Sequence, residues 1–581
     1  MLKINIFKSL KNKLLHITII FIISLCCLFS CQTSAVKMPY EIQQNSIGQE
    51  AMVVSAHPLA TKVGLNILKQ GGNAIDASIA VQFALAVVYP RAGNIGGGGF
   101  MVLRTADGQY NSLDYREKAP KAGSKDMYLD SLGNVIPGLS VYGHLAAGVP
   151  GTVDGLIEAH KKYGSLDFKE LIQPAIELAS NGFKLSPKEV ERFNKFQKDF
   201  KKYNTTQPIF VKNTPWKIGD LFVQKDLANT LSLIRDKGRA GFYEGVTADK
   251  IIAEMKAGKG IISYEDLRSY RSKWRTPVTG AYKNYNIISM PPPSSGGIAL
   301  LQLLKLVEPY PLSEYGFQSK EAIHTMVEAE RRVYADRAKY LGDNDFYHVP
   351  QDTLLNEQYL AARMKDFSAD SATASTTIDA GNFALAMESF ETTHTSIVDE
   401  AGNAVSLTTT LNFNFGCKVV VAGAGFFLNN EMDDFSAKPG VPNQFGLIGN
   451  EANAIAPEKR MLSSMTPTII EKDGTLFMVI GSPGGSTIIT AVFQVFLNVS
   501  EFGMSLEDAL YAKRFHHQWL PDVIMYEKQG LDTIVQEELK QMGHQFKEVD
   551  YIALVKAIQV LPNGLLNGVG DNRSEDHAEG Y

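Results

Sequence analysis

The pattern of apolar and polar positions divides the chain into recognisable stretches. From Pro58 to Gln70 it is helical until the tandem Gly71-Gly72 stops it, and from Ala74 to Val88 it is almost wholly apolar up to the turn before Pro90, predicting a buried helix. After the glycine run Gly96 to Gly99 comes a short strand, Phe100 to Arg104, a hairpin-type turn at Asp107-Gly108, and a second strand through Leu113-Asp114-Tyr115. Polar helical patterns fill the region from about Leu156 to Tyr270. A further helix, Lys320 to Leu341, carries Glu328, Glu330, Arg331, Arg332, Asp336 and Arg337, a charge pattern expected on a solvated, salt-bridged face.

The stretch Ser368 to Asp379, rich in Ser, Thr, Ala and Asp, leads into Met387-Glu388-Ser389-Phe390-Glu391 and is expected to be exposed and poorly structured. Beyond it the chain is strand-rich: Ser396 to Asp399, Ala404 to Thr410, Thr466 to Glu471 and Leu476 to Ile480, followed by a helix from about Ser486 to Val499. No internal repeat occurs. Strands alternating with amphipathic helices predict a layered α/β or α+β architecture.

Composition narrows the class. With 581 residues, 45% hydrophobic and 20% charged, the chain can build a large core. Length alone suggests several domains at roughly 150 residues each, but layered sheets exceed that figure, so fewer are expected. A net charge of −5 offers no basic surface for nucleic acid, which leaves a small molecule as the expected partner.

The first thirty residues differ in kind. Lys3, Lys8, Lys11 and Lys13 precede an apolar run from Leu14 to Phe29, shorter than the roughly twenty residues that span a bilayer. The run reads as an export signal, residues 1–30, removed on maturation. Leu28-Phe29-Ser30-Cys31 resembles a bacterial lipobox, which makes Cys31 a lipidation candidate and a lipid anchor possible; cleavage after Thr33-Ser34-Ala35 would instead give a soluble secreted protein. Either outcome places the protein in the periplasm or cell envelope, with an outer-membrane lipoprotein as one form. Of four cysteines only Cys417 remains in the mature body, so no internal disulfide forms and there is no Cys-x-x-Cys metal site.

The segment from Thr392 to Thr410 reads as two strands joined by Glu400-Ala401-Gly402, with Gly402 at the position needing φ > 0. If Asp399 pairs with Asn403, Thr392 lies opposite Thr410 on the same face. Alone, that is equally a β-favoured cross-strand pair. A threonine hydroxyl needs a base, and an N-terminal threonine has one in its own α-amine, whose reference pKa of about 7.7 to 8.0 leaves part of it neutral near physiological pH. Such a mechanism requires a cut before Thr392, after Glu391.

A second hairpin, turning at Asp473-Gly474, runs into Gly481-Ser-Pro-Gly-Gly485 and then a helix. Glycines between a strand end and a helix start can expose backbone N–H groups as an oxyanion hole, or can simply make a tight turn. His516, His517 and Asp522 suggest a metal only weakly, because neighbouring residues on a strand project oppositely and no third ligand has recognisable spacing. Gly96 to Gly99 matches neither phosphate-loop pattern and is expected at a close backbone crossing.

These motifs, together with Gly72-Asn-Ala-Ile-Asp76, Asp114-Tyr-Arg-Glu117, Gly148-Val-Pro-Gly-Thr152, Met290-Pro-Pro-Pro-Ser-Ser-Gly-Gly297, Leu428-Asn-Asn-Glu-Met-Asp-Asp-Phe-Ser436 and Leu462-Ser-Ser-Met465, closely resemble bacterial γ-glutamyltranspeptidases, also called glutathione hydrolases, over nearly everything after about Glu50. The resemblance implies an α+β fold of the N-terminal nucleophile hydrolase type, a four-layer αββα sandwich. Autocleavage between Glu391 and Thr392 would give a large subunit, 31–391, and a small subunit, 392–581, which stay together as a heterodimer. It further implies Thr392 as nucleophile, Thr410 as the partner orienting its hydroxyl, and Gly484 and Gly485 as oxyanion donors. Arg116, Ser463 and Ser464 would hold the substrate's α-carboxylate, while Asn412, Glu431 and Asp434 would receive its α-ammonium. No cofactor or metal is implied. Substrates would be glutathione and other γ-glutamyl amides, with water or amino acids as acceptors. Phe445 stands where bacterial relatives often carry a lid-loop tyrosine, so packing is kept and a hydroxyl lost. A cephalosporin (glutaryl) acylase of the same fold, and a catalytically inactive peptide-binding lipoprotein, are the competing readings.

Overall fold

The computed structural model describes residues 38–378, 392–438 and 450–581; the export signal with Cys31, the residue before the expected cut, Glu391, and the lid position Phe445 lie outside the described residues. Two antiparallel sheets of seven strands each form the centre. One runs in the order His577–Gly580, Met52–Ser55, Thr393–Val398, Ala404–Thr410, Gly98–Arg104, Tyr110–Asp114 and Lys273–Arg275. The other runs Asn45–Gly48, Leu566–Val569, Lys556–Val560, Thr475–Gly481, Thr468–Lys472, Tyr285–Ser289 and Val278–Tyr282. Both sheets therefore interleave strands from before and after position 392.

Side-chain alternation decides the layering. In the first sheet Val53, Met101, Leu103, Ile397 and Val405 point outward into a core shared with the helices Pro58–Lys69 and Ala74–Val88. Their neighbours Met52, Val54, Phe100 and Val102 point inward, into a core shared with Ile288, Ile470 and Val479 of the second sheet. Helices Gly296–Val307, Lys320–Tyr340 and Thr487–Ser500 add their apolar residues to that core from the far side. The result is the four-layer αββα arrangement, and because both sheets are covered on both faces, their strands are buried along most of their length.

Several expectations hold. The helix Ala74–Val88 is buried at every position and begins with a capping box between Asn73 and Asp76. The glycine run is a close crossing: a Cβ on Gly97 would lie 2.1 Å from the Thr410 carbonyl oxygen and one on Gly99 2.4 Å from that of Thr408. The expected hairpin register also appears, Thr393 facing Thr409 and Val398 facing Ala404, with Gly402 at φ +87°.

One expectation fails, and another holds only in part, since Ala369, Asp370, Ser371, Ala374, Thr376 and Thr377 are exposed as expected. The charged face of Lys320–Tyr340 is not solvated: Glu328, Glu330, Arg331, Arg332, Asp336 and Arg337 are all buried. Its charges meet partners remote in sequence, Arg331 pairing with Asp522 and Arg332 with Asp366 as well as with Glu328 at 2.6 Å. The stretch from Ser368 is also better fixed than its composition suggests. Thr373 N–H donates to Glu328 (3.0 Å), Ser375 N–H to Asp522 (2.8 Å), and Ile378 is buried. Two short side chains also serve the buried charges of the helix, Ser375 Oγ accepting from Arg331 (2.6 Å) and Thr373 Oγ1 from Arg332 (3.2 Å). Among the described residues no helix is long and apolar enough to cross a membrane.

Candidate active site

The strand Thr393–Val398 places Thr392 immediately at its start, buried and opposite Thr410. The Thr392 hydroxyl donates to Thr410 Oγ1 at 3.4 Å, and Thr410 Oγ1 also accepts the Asn412 N–H at 2.7 Å. On the same inward face the alternation continues with His394 and Ser396, whose polar atoms are met within the hairpin: His394 Nδ1 lies 2.8 Å from Thr408 Oγ1 and Nε2 3.0 Å from Ser396 Oγ. Burial, with the Lys556 charge adding to it, holds the His394 imidazole well below its ordinary pKa, so it is neutral. A neutral ring bonded on both nitrogens makes a rigid floor beside the two threonines.

The second sheet crosses directly over this floor. Gly481 packs on the His394 ring, where a Cβ would come within 2.3 Å, and Ser406 Oγ donates to the Ile480 carbonyl at 2.9 Å. The chain then turns through Gly484 (φ +142°) and Gly485 (φ +57°) into the helix Thr487–Ser500. Both dihedrals lie where L side chains are strained, so the tight turn does require glycine, and the helix N-terminus behind it orients N–H groups toward the same end of the sheets.

Asn412 links the threonines to an ionic pocket. It adopts φ +72°, donates from Nδ2 to the Asn430 carbonyl at 3.0 Å, and so ties the end of the hairpin to the 3₁₀ turn Glu431–Asp434. Arg116, buried, reaches this turn from beyond the strand Tyr110–Asp114. Its Nη1 stands 2.6 Å from Glu431 and 3.6 Å from Glu117, its Nη2 pairs with Asp434, and Nη2 also donates to the Leu462 carbonyl at 3.3 Å. Burial raises the pKa of Glu431, Asp434 and Glu117 alike, with the Arg116 charge opposing that rise. The Arg116 guanidinium thus serves two buried carboxyls, Glu431 and Glu117, and the partly exposed Asp434. A further cation placed among these carboxyls would favour their ionised forms.

Ser463 and Ser464 follow Leu462 along the same wall. Ser463 Oγ accepts the Met465 N–H (3.1 Å), and Ser464 Oγ accepts from Arg337 (2.9 Å). The motif Met290–Gly297 braces them from behind: Ser295 donates to the Ser463 carbonyl from both N–H (2.8 Å) and Oγ (2.7 Å). The structure thereby brings Thr392, Thr410, Asn412, Glu431, Asp434 and Arg116 into one chain of contacts, with Ser463 and Ser464 next along the wall and Gly484-Gly485 at the end of the overlying strand. In the sequence Glu117 sits in a motif that gives it no role and Arg337 in the charge pattern of a helix; packing brings both to this pocket.

His516 and His517 engage separate partners, His516 Nδ1 with Thr490 Oγ1 at 2.8 Å and His517 Nε2 with Asp522 at 3.1 Å. His324, Glu328 and His544 offer ligand atoms within 4.8 Å of one another, yet Glu328 is already engaged by Arg331 and Arg332, whose charges disfavour a cation there.

A γ-glutamyltranspeptidase family model matches residues 60–581. The chain is 48% identical over 524 residues to a glutathione hydrolase proenzyme of Pseudomonas sp. (strain A14), covering 90% of this chain and 89% of that one. It is 44% identical over 536 residues to the glutathione hydrolase proenzyme of Escherichia coli (strain K12), covering 92% of each. Among solved structures, a cephalosporin acylase from Bacillus halodurans superposes with a TM-score of 0.81 at 26% identity, covering 95% of this chain and 99% of that one. Fold, motifs and full-length similarity agree, and the chain belongs to the γ-glutamyltranspeptidase family.

Proposed function

We propose that the protein is a γ-glutamyl acyltransferase and glutathione hydrolase that matures by cutting itself before Thr392. The observation that carries this is the continuity of two features: a buried threonine pair at the start of the hairpin, and, one asparagine away, a pocket where the Arg116 guanidinium faces three carboxyls. A γ-glutamyl group presents a zwitterion at one end and a reactive carbonyl at the other, and the site offers matching chemistry at matching ends.

In maturation the Thr392 hydroxyl attacks the carbonyl carbon of residue 391. The peptide C–N bond breaks, its nitrogen takes the hydroxyl proton, and the resulting ester is hydrolysed by water, leaving a carboxylate at 391 and a free α-amine on Thr392. In turnover the α-amine takes the proton as Oγ1 attacks the γ-carbonyl, then passes it to the departing amine. The backbone N–H groups of Gly484 and Gly485 stabilise the developing oxyanion. Water or an amino acid amine resolves the γ-glutamyl ester. The substrate's α-carboxylate joins Arg116, Ser463 and Ser464, and its α-ammonium joins Glu431, Asp434 and Asn412, so the zwitterion is inserted into the existing Arg116 ion pairs.

The cephalosporin acylase from Bacillus halodurans shares this fold, but a glutaryl group, the acyl group of the competing reading, lacks the ammonium that the acidic side chains of this pocket favour. We assign residues 31–391 and 392–581 to the large and small subunits, Phe445 to a lid, and the export signal to delivery into the cell envelope, with mass spectrometry of the mature N-terminus deciding whether Cys31 is lipidated. Purified protein should release the chromophore from a γ-glutamyl anilide. Turnover of a glutaryl anilide in its place would reject the proposal in favour of an acylase, and turnover of neither would reject it in favour of a binding protein.

A further inference from the structure

Arg337 occupies the last turn of the helix Lys320–Tyr340, and its guanidinium is buried behind the serine pair. Nη2 donates to Ser464 Oγ at 2.9 Å and Nε donates to Ser295 Oγ at 2.9 Å; Ser295 in turn donates that hydroxyl to the Ser463 carbonyl at 2.7 Å. Its charge also bears on Asp434, which it helps to keep ionised against burial.

The direction of these bonds has a consequence. A serine hydroxyl has one hydrogen and two lone pairs, and an arginine can only donate. Because Arg337 fills a lone pair of Ser464 Oγ, that hydroxyl's hydrogen is left to point elsewhere. Ser463 is in the same condition, since Met465 N–H fills a lone pair of its Oγ. Two adjacent hydroxyls fixed as donors form a receptor for an anion, and the buried positive charge behind one of them strengthens it.

Resting on the γ-glutamyl assignment, we propose that Arg337 is a positioning and specificity-determining residue: acting through Ser464, it orients that hydroxyl as a donor beside Ser463 and makes the site selective for substrates bearing an α-carboxylate. It touches no reacting atom. The charged groups around it that share this role are Arg116 and Asp434, and Arg337 supplies the second positive charge that lets the pocket accept a carboxylate beside Glu431 and Asp434.

The test compares competitive inhibition by L-glutamate and by its α-amide, which keeps the ammonium and loses the carboxylate charge, with a γ-glutamyl anilide as the reporter. In Arg337→Gln, glutamate inhibition should weaken by about 10- to 100-fold, in the range of a lost charge-assisted hydrogen bond, while inhibition by the α-amide changes less than threefold and kcat falls less than KM rises. Equal weakening of both inhibitors, or of neither, overturns the proposal. Should Arg337→Gln not yield folded protein, a double-mutant cycle decides: Arg337→Lys should weaken glutamate inhibition in the otherwise native enzyme and have no further effect with Ser464→Ala, whereas additive losses overturn it. A native enzyme without anilide turnover would reject the γ-glutamyl assignment itself; turnover with an unchanged inhibitor ratio rejects only the role of Arg337.

Discussion

Replacing Glu431 by glutamine should separate binding from stability. Glu431 is fully buried, its carboxyl contacts Arg116 at 2.6 Å, and it shares that cation with Asp434 and Glu117. Burial raises its pKa above the unfolded value, so the stability it contributes is present below the unfolded pKa and is lost as pH rises through the folded one. Above its folded pKa the ionised carboxylate therefore opposes folding, and an isosteric neutral amide, still able to accept from Arg116, removes that cost. For substrate binding the sign reverses. A hydrogen bond between an ammonium and a carboxylate contributes about 1.5–3 kcal/mol, so its loss should lower kcat/KM for a γ-glutamyl anilide by roughly 10- to 150-fold. Thermal unfolding at pH 8 should give a Tm equal to or above that of the native enzyme. Inhibition by glutamate should weaken in step with kcat/KM, while inhibition by glutarate, which has no ammonium, should not. A Tm lower by many degrees, or equal loss for glutamate and glutarate, would refute the reasoning.

Other outcomes follow from the same geometry. Thr392→Ala removes the hydroxyl needed for both steps, and a denaturing gel should show one uncut chain with no anilide turnover; two fragments would sink the maturation scheme. Gly484→Ala places a Cβ 3.0 Å from Ala553 Cα and 2.7 Å from Thr487 Oγ1 at φ +142°, and if the turn shifts as a result, kcat should fall by about 10²–10³, the effect of losing one oxyanion donor. Burial, with the Arg331 charge adding to it, lowers His517 to about 4, and burial lowers His544 to about 3. Stability from these neutral rings is complete above their unfolded pKa of about 6.5 and is lost as pH falls through the folded values, so Tm should drop between pH 6.5 and 4, less steeply in His517→Gln.

What was legible in the sequence was local. The hairpin register followed from the three-residue loop ending in Gly402, and once Asp399 faced Asn403, every pair up to Thr392 and Thr410 was set. The glycine run announced a backbone crossing because no other residue tolerates one. The helix from Lys320 departs from its charge pattern for the opposite reason. Charge pattern along a helix says nothing about what covers it, and the partner of Arg331, Asp522, lies 191 residues away. The stretch from Ser368 looked solvated because its side chains are small and polar, yet those are the groups that fit against buried guanidiniums. Arg337 carried no sequence signal at all: its meaning depends on Ser464 being 127 residues further on and 2.9 Å distant.

Each sheet contains strands from both sides of position 392, which bears on a chain cut there. In the first sheet Thr393–Val398 and Ala404–Thr410 are bonded on their outer edges to Met52–Ser55 and Gly98–Arg104, so a cut before Thr392 severs one covalent link and leaves the ladders intact. The uncut chain can regain this topology by a unimolecular reaction. Once cut, the same ladders join two molecules, and their recovery after denaturation becomes a bimolecular encounter that slows with dilution and competes with aggregation of the exposed edges. For a chain cut before Thr392, durability would rest more on slow unfolding than on refolding, and recovery after denaturation would depend on protein concentration.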